Sequence, residues 1–190
     1  MINMKKLLLL FTFLGLVSCS SCLKKDQVPN NPTQLDGGSD TVSDASTAPD
    51  AVPTYFKVAD SNWEFKLPNN TWNQINSDAD LNFAFSGYDS VVGKLLVIFQ
   101  KEEFAGTTQN YTLFSIRGMR ESGATLVSSS QVVINGNNFI QIEFVHDSYR
   151  VFQLIMVKRD FGYSLSCGGL GSSETQKQVC DPIFNSLIVN

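Results

Sequence analysis

From residue 54 onward, apolar and polar residues alternate over short stretches separated by turn-forming residues, a period of two that predicts strands. Trp63, Phe65 and Leu67 alternate with polar neighbours, and Pro68-Asn69-Asn70 makes a turn before Trp72. Leu81, Phe83 and Phe85 repeat the pattern. The run Leu95-Leu96-Val97-Ile98-Phe99 is apolar on both sides, which predicts a central strand covered on two faces. Residues 109–121 switch to a helical pattern. Leu113, Phe114, Ile116 and Met119 form its apolar stripe, Thr108 its N-cap and Gly123 its stop.

The second half predicts a run of hairpins. Val132-Val133-Ile134 leads into Asn135-Gly136, a type I′ turn signal, and then into Ile140, Ile142 and Phe144. His146-Asp147-Ser148 forms the next turn, and residues 151–157 are again apolar on both faces. A bend at Asp160 precedes Phe161, Tyr163, Leu165 and Cys167, which share one face. A terminal helix follows, with Ser173 and Gln176 as a capping box and Val179, Ile183 and Leu187 at four-residue spacing. Pro182 interrupts it, so the helix either kinks there or restarts with Asp181 as cap. The fold class is therefore α+β: an antiparallel β-sheet, sandwiched between helices because its two-sided strands need cover on both faces.

The beginning of the chain follows another pattern. Lys5 and Lys6 precede an unbroken apolar run from Leu7 to Val17, too short for a bilayer core of about 30 Å and typical of a secretory signal peptide. Met4 offers a second start that leaves this signal intact. The run ends in Leu16-Val17-Ser18-Cys19, which resembles a bacterial lipobox. In such signals the peptide is cut before the cysteine, whose thiol carries a diacylglycerol. Cys19 is thus the lipid attachment residue. Cys22 fits less well, because it would put Cys19 where a leucine-like residue is preferred. Several acyl chains make the membrane attachment stable, and Ser20 at the next position implies sorting to the outer membrane. Residues 1–18 are the signal peptide and 19–54 a lipidated, acidic, disordered tether with four prolines. Residues 55–190 are the globular domain.

Charge and composition then narrow the function classes. The chain has 14 Lys+Arg and 18 Asp+Glu, net −4, and loss of Lys5 and Lys6 leaves 12 bases against 18 acids, net −6. Without a basic stripe, nucleic-acid binding is excluded. A single histidine, His146, argues against His-rich metal sites and His-based catalytic networks. His146-Asp147-Ser148 contains triad residue types, but three consecutive turn residues point apart, so a polar turn is the better reading. Lys101-Glu102-Glu103 reads as a charged strand end. Gly168-Gly169-Leu170-Gly171 lacks the Lys and Ser/Thr of a phosphate loop and reads as a flexible turn. Arg117, Arg120, Arg150, Lys158 and Arg159 are candidates for a basic patch. No catalytic, metal or cofactor site is expected.

With Cys19 assigned to lipid, the export signal puts the other cysteines in an oxidising compartment. Cys167 and Cys180 are expected to bridge a strand end to the last helix, worth about 3 kcal/mol in the chain-entropy model. Metal binding by this pair is the rival, but no nearby Cys or His completes a site. Cys22 either stays free, is modified or links two tethers.

Two segments carry a family resemblance. Trp63-Glu64-Phe65-Lys66-Leu67-Pro68 with Trp72 resembles the opening hairpin of the PsbP/Mog1-like superfamily. Phe161-Gly162-Tyr163-Ser164-Leu165-Ser166-Cys167 and Ile183-Phe184-Asn185-Ser186-Leu187 resemble its ending. Bacterial lipoproteins similar to DcrB place this domain after a lipobox. The resemblance implies a sheet between helices and, since members of the superfamily serve as assembly or docking proteins, a non-enzymatic role at the cell envelope with a protein partner. No residue of a family functional site maps onto this chain. The alternative is a carrier of a small apolar ligand or lipid in a cavity between sheet and helix, and a hydrolase using His146 ranks last.

Radioactive palmitate should label the protein in cells, and Cys19→Ala should abolish the label. Unchanged labelling of that variant would remove the lipobox assignment.

Overall fold

The computed structural model describes residues 54–58, 63–68, 72–75, 83–89 and 92–190. The signal peptide, Cys19, Cys22, the tether up to residue 53, Asn69-Asn70 and Leu81 lie outside the described residues. In chain order the elements are β1 (Thr54–Val58), β2 (Trp63–Leu67), β3 (Asn73–Ile75), β4 (Phe83–Asp89), β5 (Gly93–Glu103), α1 (Thr108–Glu121), β6 (Thr125–Ile134), β7 (Asn137–His146), β8 (Tyr149–Lys158), β9 (Phe161–Leu170), α2 (Ser173–Asn185) and β10 (Ile188–Val189).

Seven strands form one antiparallel sheet in the order β3-β4-β5-β9-β8-β7-β6, and β1-β2-β10 form a second, small sheet. The hairpins from β6 to β9 follow the predicted turns. Asn135 and Gly136 adopt φ of 49° and 79°, as a type I′ turn requires. β5 joins β9 rather than a sequence neighbour, so the two strands expected to be central, β5 and β8, both flank β9.

Alternation assigns the two faces of the large sheet. One carries Val97, Phe99, Phe152, Leu154, Leu165 and Cys167, and is covered by α2 and the small sheet. Trp63 of β2 joins the layers. Its ring is fully buried, stacks on Tyr163 at 4.8 Å, tilts against Phe99 at 5.3 Å and meets Phe139 edge-on at 6.0 Å. The predicted disulfide adds a covalent tie. Cys167 of β9 bonds Cys180 of α2, both fully buried, with Cα atoms 5.7 Å apart. The opposite face carries Ile98, Ile142, Ile155 and the small residues Gly162, Ser164 and Ser166, and α1 packs against it over β6, β7 and β8. The sheet is thus sandwiched between helices, as expected.

Four local expectations are corrected. The N-cap of α1 is Thr107, whose side-chain oxygen accepts from the Asn110 N–H at 3.2 Å, because Thr108 is turned to the β8 backbone, where its hydroxyl accepts from Val157. The buried face of α1 is Tyr111, Thr112, Gly118 and Met119, while Leu113 and Phe114 are 65% and 41% exposed. The N-cap of α2 is Ser172, not Ser173, and Gln176 donates to the Leu170 carbonyl instead of closing a capping box. Pro182 neither restarts nor ends α2, which runs on to Asn185. Pro182 and Gln178, the residue whose carbonyl it deprives of a donor, are both exposed, so water can satisfy that group.

Gly168-Gly169 is also corrected: both residues belong to β9, not to a turn. A Cβ on Gly168 would lie 2.4 Å from the Arg150 carbonyl oxygen and 2.8 Å from the Val151 Cα. Close approach to β8 requires glycine there, rather than flexibility.

The layered packing predicts the stability of two variants. Trp63→Ala should lose about 3–5 kcal/mol in urea unfolding, whereas Leu113→Ala should stay within about 0.5 kcal/mol of the parent.

Candidate functional site

At one end of the large sheet, β5 runs past its charged terminus into Phe104-Ala105-Gly106, opposite the two-residue turn that joins β8 to β9. That turn, Arg159-Asp160, holds two non-glycine residues at φ of 51° and 60°. L-residues enter this region at a cost of about 1–2 kcal/mol each, somewhat less for aspartate. The turn is tied down because the Asp160 carbonyl accepts from the Phe104 backbone N–H at 2.8 Å.

Between the loop and the turn lies an open groove of about 410 Å³, lined by Glu103, Phe104, Ala105, Asp160 and Phe161. The Phe104 ring packs on Tyr111 at 4.8 Å and on Phe114 at 6.3 Å, and Lys101 Nζ lies 4.5 Å above the Phe161 ring. With Phe114 exposed on α1 and packed on Phe104, the groove is the centre of an aromatic rim edged by two carboxylates. Such a rim can bury an apolar side chain and place a cationic neighbour beside Glu103 or Asp160.

The charged run Lys101-Glu102-Glu103 is not uniformly solvated. Successive strand residues face opposite ways, so Glu103 reaches the groove while Glu102 turns to α1 and accepts a hydrogen bond from the Tyr111 hydroxyl. Burial pushes the Glu102 carboxyl above the usual carboxylate range, although the bond from Tyr111 works the other way. Burial, then the bond to Glu102, pushes the Tyr111 phenol up as well. The Tyr111 ring lies directly on Gly162, where a Cβ would come within 2.6 Å of it. A glycine in β9 thus makes room for the α1 tyrosine on which Phe104 packs.

A second polar group sits on the other face, beside the start of α2. Glu143 of β7 is nearly buried and accepts from Ser173 at 2.9 Å, from Ser128 at 3.2 Å and from Arg150. Burial alone would raise its carboxyl, but the bonds from Ser173, Arg150 and Ser128 outweigh it and leave the group below its ordinary value. Arg150 therefore serves an ion pair, not the basic patch suggested by its neighbours in sequence. His146 spans the C-terminal end of α1 and the next turn: Nε2 lies 2.9 Å from the Ser122 carbonyl oxygen and Nδ1 lies 3.2 Å from Asp147. Ser148 does not join them in a triad; His146 clasps a helix end.

The rim itself was not legible in the sequence. Phe104 and Phe161 stand 57 positions apart, and only the pairing of β5 with β9, which sets Glu103 opposite Phe161, brings them together. The sequence marks Glu103 as a charged strand end, Asp160 as a bend and Phe161 as a strand position, but joins none of them into a site.

No protein-family model and no curated protein matches the chain. Among solved structures, the chain is similar to cyanobacterial PsbP (CyanoP) from Synechocystis sp., at 14% identity and a TM-score of 0.58, covering 80% of this chain and 98% of that one. It is also similar to PA94 of Pseudomonas aeruginosa, a protein of unknown function, at 9% identity and a TM-score of 0.49, covering 73% and 97% of the two chains. A Bacteroides thetaiotaomicron structure aligns at 15% identity and a TM-score of 0.45, over 68% of this chain and 45% of that one. The first of these shows that the fold is PsbP-like.

The Glu143 cluster predicts a pH dependence. A carboxyl lowered by folding stabilises the protein above its unfolded value of about 4.3 and loses that contribution as the pH falls through the folded value. Glu143→Gln should therefore cost about 2 kcal/mol at pH 7, less than for a fully buried pair because Arg150 is 23% exposed. The gap between variant and parent should narrow below about pH 4 in urea unfolding.

Proposed function

We propose that this chain is a lipid-anchored cell-envelope protein that docks a protein partner through the rim around Phe104, and that it has no catalytic activity of its own. On this reading Cys19 carries the lipid, and Ser20 directs the protein to the outer membrane. The acidic tether then presents the domain to a partner in the periplasm or at the cell surface. Its r.m.s. reach is roughly 30 Å, enough to clear the lipid headgroups.

The observation that carries the proposal is the rim: an exposed Phe114 packed on Phe104, which with Phe161 lines an open groove. Exposed apolar side chains gathered at one place mark contact surfaces, and aromatic residues are enriched at the centres of such contacts. The groove's openness favours docking over carriage of an apolar ligand. A carrier encloses its cargo in a deep apolar cavity, whereas Glu103 and Asp160 would leave carboxylates against it. The PsbP-like fold agrees with the reading, since the superfamily this sequence resembles includes assembly and docking proteins.

A photo-crosslinking residue at Ala105, exposed in the groove lining, should capture one discrete partner in intact cells, and Phe104→Asp should reduce that capture at least about tenfold. The same probe at Glu174, exposed on α2, should not capture it. Equal capture from both positions, or none from residue 105, would overturn the proposal.

A further inference from the structure

The chain contains one Asn-Gly pair, Asn135-Gly136, and it turns β6 into β7 with both residues exposed. Asn135 has a task beyond the turn. Its side-chain amide donates to the Leu187 carbonyl at 2.7 Å and to the Asn185 carbonyl at 3.3 Å, which clasps the hairpin tip to the place where α2 hands over to β10. A helix leaves its last carbonyls without partners of its own. In α2 the Ser186 N–H serves Pro182 and Ile183, and the Leu187 N–H serves Phe184. The Asn185 carbonyl takes its bond from Asn135 instead, and the last turn of α2 carries no basic residue.

An asparagine followed by glycine can react with its own backbone. The Gly136 nitrogen attacks the Asn135 Cγ and gives up its proton as the N–Cγ bond forms. The Cγ–Nδ2 bond breaks, and Nδ2 leaves as ammonia. Water then opens the five-membered imide at either carbonyl, giving aspartate or isoaspartate, with no oxidant or reductant needed. Glycine leaves the attacking nitrogen unshielded, and nothing lies within 4 Å of the place where a Cβ on Gly136 would stand. The clasp opposes the reaction. While Nδ2 is held on two carbonyls, the side chain is not free to turn onto the Gly136 nitrogen. The bond to Asn185 is exposed and the bond to Leu187 only part-buried, so the clasp opens locally without unfolding of the sheet.

We propose that Asn135 is a deamidation site guarded by its own clasp, and that its conversion permanently releases the end of α2 from the β6–β7 hairpin. The product lacks the N–H groups that made the clasp, and it puts a carboxylate against two carbonyl oxygens at the negative end of a helix. Asp-Gly still serves a type I′ turn, so the aspartate product keeps the hairpin and loses only the tie. The site is therefore a one-way change in how residues 185–190 are held. The proposal rests neither on the rim nor on the lipid anchor, and its test is separate from theirs.

The test keeps the full-length chain in mildly alkaline buffer, with and without urea, and follows the tryptic peptide 121–150 by mass spectrometry. In native buffer the peptide should gain the mass of an amide-to-acid conversion at Asn135 within a month. In urea, where no clasp exists, the conversion should be at least about tenfold faster. Asn135→Asp carries the product from the start, and its backbone amides in residues 185–190 should exchange hydrogen about tenfold faster than in the parent. Asn138→Asp, which adds the same charge at an exposed position of the same hairpin, should leave that exchange unchanged. Four results would overturn the proposal: equal rates with and without urea, no native conversion within a month, conversion at Asn137 or Asn138 instead, or parental exchange in Asn135→Asp.

Discussion

The structure depends on the packing of Trp63. The small sheet has only two short strands and the two-residue β10, and such an assembly is not stable by itself in water. What holds it is the insertion of this ring among Tyr163, Phe99 and Phe139, which come from three strands of the large sheet. That contact also fixes the work of α2. The helix shares the same face, so its Val179, Ile183 and Phe184 fill the core beside β2, and the disulfide to β9 locks it there.

On the opposite face the constraint is room rather than bulk. Gly162, Ser164, Ser166 and Gly168 alternate along β9 with the large residues of the other side. Small residues there let the Tyr111 ring lie on the strand and donate to Glu102. The residues of α1 consequently divide in an unexpected way: Tyr111, Thr112 and Gly118 join Met119 on the buried face, while Leu113 and Phe114 face out. The exposed aromatic rim at the end of the sheet is a by-product of that choice.

The parts legible in the sequence are those governed by local rules. Alternation placed the strands, Asn135-Gly136 placed a turn, and the two-sided runs marked β5 and β8 as interior. The disulfide was legible because the expectation of export and the small number of cysteines left one sensible pair. Most misreadings arise where tertiary contact overrides a local rule. Thr108 looks like a cap, but its hydroxyl is claimed by β8. Leu113 and Phe114 look like a buried stripe, but the small residues of β9 admit Tyr111 in their place. Gly168-Gly169 looks like a turn because glycine signals freedom in isolation, whereas here it signals crowding. The rim needed the long-range pairing of β5 with β9, which no local pattern announces.

That same pairing has a consequence for how the chain matures. Strands β6 to β9 form a meander of short turns, whose contacts are local and close early. β5 cannot complete its neighbourhood until β9, more than 50 positions later, is available. A chain delivered N-terminus first therefore holds the apolar strand Leu95–Phe99 open on one edge while the whole meander follows. During that interval β5, rather than any surface of the finished fold, is the segment most in need of protection from other chains.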